Sequence, residues 1–198
     1  MKITLLLKMG LLIPLVFWCT TLISGFIQGD YNHFSRMVSE LGSQGTNSQY
    51  IFTTGLVLCA LMSLCFINGL IMVCKNSAMR TLPVILILLF TISIAGAAIF
   101  PLPLQLHGYA GMPSIFLIIA PILSIVFWRK IPELPHFRLF TLLSIGLMFL
   151  GFSAFFPDVL SDFPGLKQRF FHLGWSGWFI YLSVGFTRLN NIHKMKIS

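Results

Sequence analysis

Three histidines, His33, His107 and His172, fall in three separate polar connections of an otherwise apolar chain. The first connection adds Arg36, Ser39 and Glu40, the second Gln105, and the third Asp158, Asp162, Gln168 and Arg169. Two chemistries suit these residue types. Three neutral imidazoles can bind Zn²⁺ with an open fourth position, where a bound water loses its proton near neutral pH. Without a metal, His107 or His172 serves as general base, and Arg36 or Arg169 steadies an oxyanion or a phosphate. Ser39 becomes a nucleophile if a histidine lies within about 3 Å of it. The catalytic candidates are therefore His107, His172, Glu40, Ser39 and Asp158. The binding candidates are His33, Arg36, Gln105, Asp162, Gln168 and Arg169, and the metal candidates are the three histidines. The competing account is plain solvation, with ordinary ion pairs between Arg36 and Glu40 and between Arg169 and Asp158 or Asp162.

The elements that must position these residues are membrane helices. Of 198 residues, 57% are apolar and 9% charged, where a soluble domain carries roughly 25% charged residues. Six apolar runs approach the roughly 20 residues a span needs: about 5–27, 50–73, 82–104, 108–128, 139–156 and 170–186. The expected fold is all-α, one six-helix bundle over residues 1–198. Lys2 and Lys8 precede an apolar run too long for a usual signal peptide, with no small-residue cleavage site after it, so the run reads as an uncleaved first helix. Cys19, Cys59, Cys65 and Cys74 lack metal-ligand spacing and read as packing residues.

Charge sets the expected orientation. Lys2, Lys8, Lys75, Arg80, Arg129, Lys130, Arg138, Arg188, Lys194 and Lys196 fall on one side, and only Arg36, Lys167 and Arg169 on the other. The first side is then cytoplasmic, with both termini inside. Of the five acids, only Glu133 is inside; Asp30, Glu40, Asp158 and Asp162 are outside. Cations scattered over four inner segments, with no basic stripe interleaved with aromatics, exclude a nucleic-acid partner and fit anionic lipid headgroups.

Within the first outer loop, Asp30 or Asn32 can cap a short helix ending before Gly42, with His33, Arg36 and Glu40 on one face. Its apolar residues Phe34, Met37, Val38 and Leu41 would lay it along the membrane interface. Thr46 and Gln49 have capping-box spacing ahead of the second span. Asp158, Ser161 and Asp162 can share one helical turn. Ala98–Pro101 and Ala154–Pro157 end the third and fifth spans alike, each followed by a histidine and a glycine-bearing helix. Ser93, Gly96, Ala97, Gly174 and Gly177 are small enough for close helix contact.

Several of these residues, in order, resemble one family. Ser39-Glu40-Leu41-Gly42 with Gly45, Phe100-Pro101 with His107-Gly108, and Gly165-Leu166 with Gln168-Arg169 and Trp178 are similar to a bacterial and archaeal six-helix membrane family, domain of unknown function 998. Tyr31 and His33 resemble one subset of it, and Thr46 stands where other members often have proline. The resemblance implies a multi-pass protein of a prokaryotic cytoplasmic membrane and brings no reaction or ligand. Membrane-embedded hydrolases are a weaker analogy, since the chain lacks their late H-x-x-x-H pair. The leading expectation is an outward-facing hydrolase or transferase acting on lipid or lipid-linked substrates. Lipid or small-molecule binding or transport is the second, although no span holds a mid-membrane Asp, Glu, Lys or Arg to couple ions. An accessory protein that docks a protein partner through the first loop is the third.

Overall fold

The computed structural model describes residues 2–128, 131–132 and 134–197. Arg129, Lys130 and Glu133, which contribute to the expected charge asymmetry, lie outside the described residues, as does the side chain of Lys196. Among the described residues the chain is helical, with no strand. Its long helices are α1 (Ile3–Gln28), α2 (Gln49–Asn76), α3 (Leu82–Ile99), α4 (Leu106–Trp128), α5 (Phe137–Phe155) and α6 (Pro164–Ile197). The first five are long and apolar enough to cross a membrane.

Most boundaries fall near the expected ones, and the differences have local causes. The third span stops at Ile99 rather than near residue 104, because Pro101 and Pro103 cannot continue a helix. In α4 the Met112–Ile118 stretch winds as a 3₁₀ helix, bracketed by Pro113 and Pro121, whose missing N–H groups break the α-helical ladder. The sixth helix starts at Pro164, several residues ahead of the apolar run from about 170, and it carries Gln168, Arg169 and His172 at helical spacing.

Each helix packs on its chain neighbour, and α6 closes back onto α1. Side chains of α6 reach all five others. Trp175 meets Phe17 of α1 and Phe90 of α3, with ring centroids 5.2 and 4.6 Å apart. Phe179 meets Phe66 of α2, and Phe186 meets Trp128 of α4, at 5.6 and 5.3 Å. Gly174 lies so close to α5 that a Cβ there would stand 2.7 Å from the Ser144 carbonyl oxygen. Gly96 sits equally close to Ala110 of α4, as its small size suggested.

The central place of α6 explains why it is less apolar than the spans around it. Ser176, Ser183 and Asn190 are buried, and Ser183 Oγ donates to the Leu7 carbonyl at 2.7 Å while Trp18 Nε1 donates to Ser176 Oγ at 3.1 Å. Leucines on the other helices, such as Leu143 and Leu61, face outward. Cys59 and Cys74 are buried and free, in keeping with a packing role.

Trp175→Ala is expected to remove roughly 3 kcal/mol of packing, whereas Leu143→Ala, on the outward face, leaves stability nearly unchanged. Thermal unfolding of the two variants in mild detergent checks the contrast.

Candidate functional site

The connections 29–48, 100–105 and 156–163 meet at one end of the bundle, the polar end. The 29–48 loop does not run as one short α-helix from Asp30 or Asn32 to Gly42. Asn32 Oδ1 takes the N–H groups of Phe34 and Ser35, as expected of a cap, and closes a turn. Glu40 Oε1 then accepts the Met37 N–H at 2.8 Å, and Gln168 Oε1 of α6 accepts the Val38 N–H at 2.6 Å. These side chains outcompete the α-helical ladder, leaving a short 3₁₀ helix, Val38–Gly42, whose Val38 and Leu41 are buried in the bundle. The Thr46 cap also differs from expectation. Its hydroxyl donates back to the Leu41 and Ser43 carbonyls, Gln49 Oε1 takes the Gly45 N–H, and Ser48 precedes the helix.

Arg169 holds this loop in place. The residue is 8% exposed, and Nη1 donates to the carbonyls of Arg36 and Gly165, both at 3.0 Å. Nη2 donates to Tyr31 Oη at 3.0 Å and to His33 Nδ1 at 2.9 Å. Arginine has no acceptor, so His33 Nδ1 must accept and its proton sits on Nε2. The Tyr31 hydroxyl passes the chain on to the Met37 carbonyl at 2.8 Å. Burial raises the Tyr31 pKa despite Arg169 beside it, so this donor keeps its proton. Two close approaches make the dock possible. A Cβ on Gly165 would overlap the Arg36 carbonyl, and one on Gly25 would stand 2.7 Å from the His33 ring.

The expected pairing of Arg169 with Asp158 or Asp162 does not form. Both aspartates are exposed, in a turn rather than a helix, and neither lines the cavity described below. Lys167 spans that turn instead, donating to the Phe156 and Val159 carbonyls at 3.0 and 2.6 Å. Arg36 and Glu40 do pair, with Nε to Oε2 at 2.8 Å, and this is the one ion pair among the described residues. Arg36 also donates to the Asp30 carbonyl.

Beside the clamped loop lies a cavity of about 850 Å³ between α4, α5 and α6, continuous with a narrower one of about 160 Å³ that runs inward towards Phe90 and Trp175. Ser39, His107, Ser114, Gln168 and His172 line both, and Gln105 lines the wider one. Apolar residues, among them Met112, Ile115, Phe152 and Phe155, make up most of the wall. The cavity exists because α4 touches α5 mainly through its 119–128 half, while its 106–118 half packs on α3. Gly108 and Gly111 widen it further, since a Cβ at either position would meet nothing within 4 Å. Among the described residues no charged side chain lines either cavity.

The three histidines therefore have different surroundings. His107 Nδ1 donates to the Phe100 carbonyl at 2.7 Å, which leaves Nε2 of the neutral ring as an acceptor. His172 is the reverse: its Nδ1 accepts from Trp175 Nε1 at 3.0 Å, and its Nε2–H is buried with no partner. His33 belongs to the clamp. The expected zinc site is thus corrected, because no group of three His, Cys, Asp or Glu residues could hold a metal ion among the described residues. The Nδ1 of each ring has a different partner: Arg169 for His33, the Phe100 carbonyl for His107 and Trp175 for His172.

Ser114 went unnoticed in the sequence and Ser93 was read only for its small size, yet both hydroxyls donate to the Gly111 carbonyl. Gly108 and Gly111, noted in the sequence only as glycines of the helix after His107, make space in the cavity wall.

An all-helical bundle with apolar outer faces and one polar end defines a membrane-integral protein. The chain belongs to the family described as "Protein of unknown function (DUF998)", which matches residues 11–185. Comparison with curated proteins and with solved structures gives no match.

The clamp should respond to acid. Burial, and to a lesser degree the Arg169 charge, lower the His33 pKa from its ordinary 6.5. The unfolded chain then binds a proton more readily than the folded one, so the contribution is complete above about pH 6.5 and is lost as pH falls below it. Limited proteolysis of the 29–48 loop should accelerate between roughly pH 7 and pH 5. His33→Asn, whose Oδ1 can replace Nδ1 as acceptor, should flatten that profile. Arg169→Lys, unable to reach four acceptors, should release the loop at every pH and cost roughly 3 kcal/mol.

Proposed function

We propose that the protein holds a lipid-like amphiphile in the cavity between α4 and α5, taken up sideways from the bilayer. The observation that carries this reading is the shape and chemistry of that cavity. It is roomy, apolar along its walls, bounded by two helices with outward apolar faces, and polar at one end. Small-molecule pockets of roughly 300–1,000 Å³ with a few convergent polar groups are the usual form of such sites. The polar groups Ser39, Gln105, His107, Gln168 and His172 then meet the headgroup. The setting is the cytoplasmic membrane of a prokaryote with both termini cytoplasmic, supported by the cations near the ends of the helices away from the polar end.

Catalysis on the same ligand is the second reading, favoured by one observation. His107 is held by the Phe100 carbonyl with Nε2 left as a base, in the cavity that Ser39 also lines. That pair suits acyl transfer from an ester, with the serine Oγ attacking the carbonyl, His107 taking its proton and returning it to the alcohol that leaves as the ester C–O bond breaks. A fluorophosphonate probe should then label Ser39 in the wild type and not in His107→Ala. Absence of labelling in both leaves binding alone. Glu40, bonded to Arg36 and Met37, serves the clamp in either reading.

Gly111→Phe tests the cavity itself. The new ring fills open space without a backbone clash, so thermal stability should hold. Native mass spectrometry of wild type released from mild detergent should show a bound species of lipid mass that the variant lacks. A wild type with no such species, or equal retention in the variant, removes the proposal.

A further inference from the structure

We infer that the cavity selects an uncharged lipid whose head is a hydroxyl group, a single-chain ester of glycerol being the simplest example, over lipids headed by a phosphate or a carboxylate. The inference rests on the cavity reading above and adds the class of ligand.

The first support is the fate of the charges. Three cations stand at the polar end, and each is committed to the protein's own groups. Arg169 bonds two carbonyls, Tyr31 and His33; Arg36 bonds Glu40 and the Asp30 carbonyl; Lys167 bonds the Phe156 and Val159 carbonyls. None lines the cavity. A phosphate or carboxylate drawn in from the headgroup layer would lose its hydration and meet no counter-charge, which is costly.

The second support is the pair of opposite histidine tautomers. With Nδ1–H given to the Phe100 carbonyl, the free nitrogen of His107 is an acceptor. With Nδ1 taken by Trp175, the remaining nitrogen of His172 is a donor, and it is buried in the wall without a partner. A leftover buried donor weighs against the folded state until something bonds it. A hydroxyl both donates and accepts, so one such group answers both rings, whereas an ionised phosphate or carboxylate oxygen only accepts. Gln168 anchors the arrangement, because its Oε1 is fixed by the Val38 N–H. The clamped loop thereby carries Ser39 to the cavity wall.

The test uses full-length protein in nanodiscs with three probes that share one tail: monooleoylglycerol, oleate and lysophosphatidate with an oleoyl chain. Binding is read by native mass spectrometry in wild type, Gly111→Phe, His107→Phe, His172→Phe and His172→Gln. Monooleoylglycerol is expected to bind wild type about tenfold more tightly than either anion. Gly111→Phe abolishes its binding, and His107→Phe and His172→Phe each erase most of the preference. His172→Gln, which presents an N–H near the same place, restores it. Gly111-dependent binding of oleate or lysophosphatidate as tight as that of monooleoylglycerol overturns the hydroxyl inference and leaves the cavity reading intact. Binding of no probe in a Gly111-dependent manner overturns the cavity reading, and the inference falls with it.

Discussion

Arg169 is a guanidinium buried at a membrane protein's end without a carboxylate to neutralise it. Such a charge is tolerated when every donor finds an oriented acceptor, and here the acceptors come from one loop and one helix turn. The carbonyls of Arg36 and Gly165, the Tyr31 hydroxyl and His33 Nδ1 surround it. The dependence runs in both directions. Removing the loop would strand a cation, and removing the cation would leave buried carbonyls and a histidine nitrogen unpaired. Because Met37 and Ser39 follow directly from this dock, the upper wall of the cavity is set by the same interaction. Glycine is required where the loop backbone touches α6, and this gives the Gly165 position its meaning.

The second organising fact is the polarity of α6. In a bilayer a helix face that meets lipid must be apolar, while the face of α6 that packs on the other helices needs only partners for its polar atoms. Ser176 and Ser183 find them on α1. The same freedom lets α6 carry Gln168, Arg169 and His172 over two turns near its start. One helix thus bonds the loop, holds the charge and forms the back wall of the cavity.

Most of the fold was legible because long apolar runs are the strongest signal a sequence gives. The start of α6 was legible only in part, since Gln168 and His172 have helical spacing but the apolar run that marks a span begins only at Phe170. The gathering of His33, Arg36, Gln168 and Arg169 at one end was also readable, but their roles were not. Those roles depend on backbone carbonyls, at Arg36, Gly165 and Phe100, which carry no mark in the sequence. The zinc expectation failed for the same reason. Three histidines at one end say nothing about where each Nδ1 is tethered, and the tethers are Arg169, the Phe100 carbonyl and Trp175. The cavity was hidden more deeply, since it arises where side chains are missing, at Gly108 and Gly111, and where α4 departs from α5.

That departure leaves the two ends of α4 held by different neighbours. Its far end is fixed, with Trp128 buried against Phe137 and Phe186 and its Nε1 bonded to the Arg80 carbonyl at 3.0 Å. The other end, Leu106–Gly111, contains no buried residue and leads into the 3₁₀ stretch. That end is held chiefly by α3, through Gly96 against Ala110 and the Ser93 hydroxyl on the Gly111 carbonyl. The mouth of the cavity therefore has two unlike sides, a loop and helix locked by a buried charge and a helix end that rests on one neighbour through small residues.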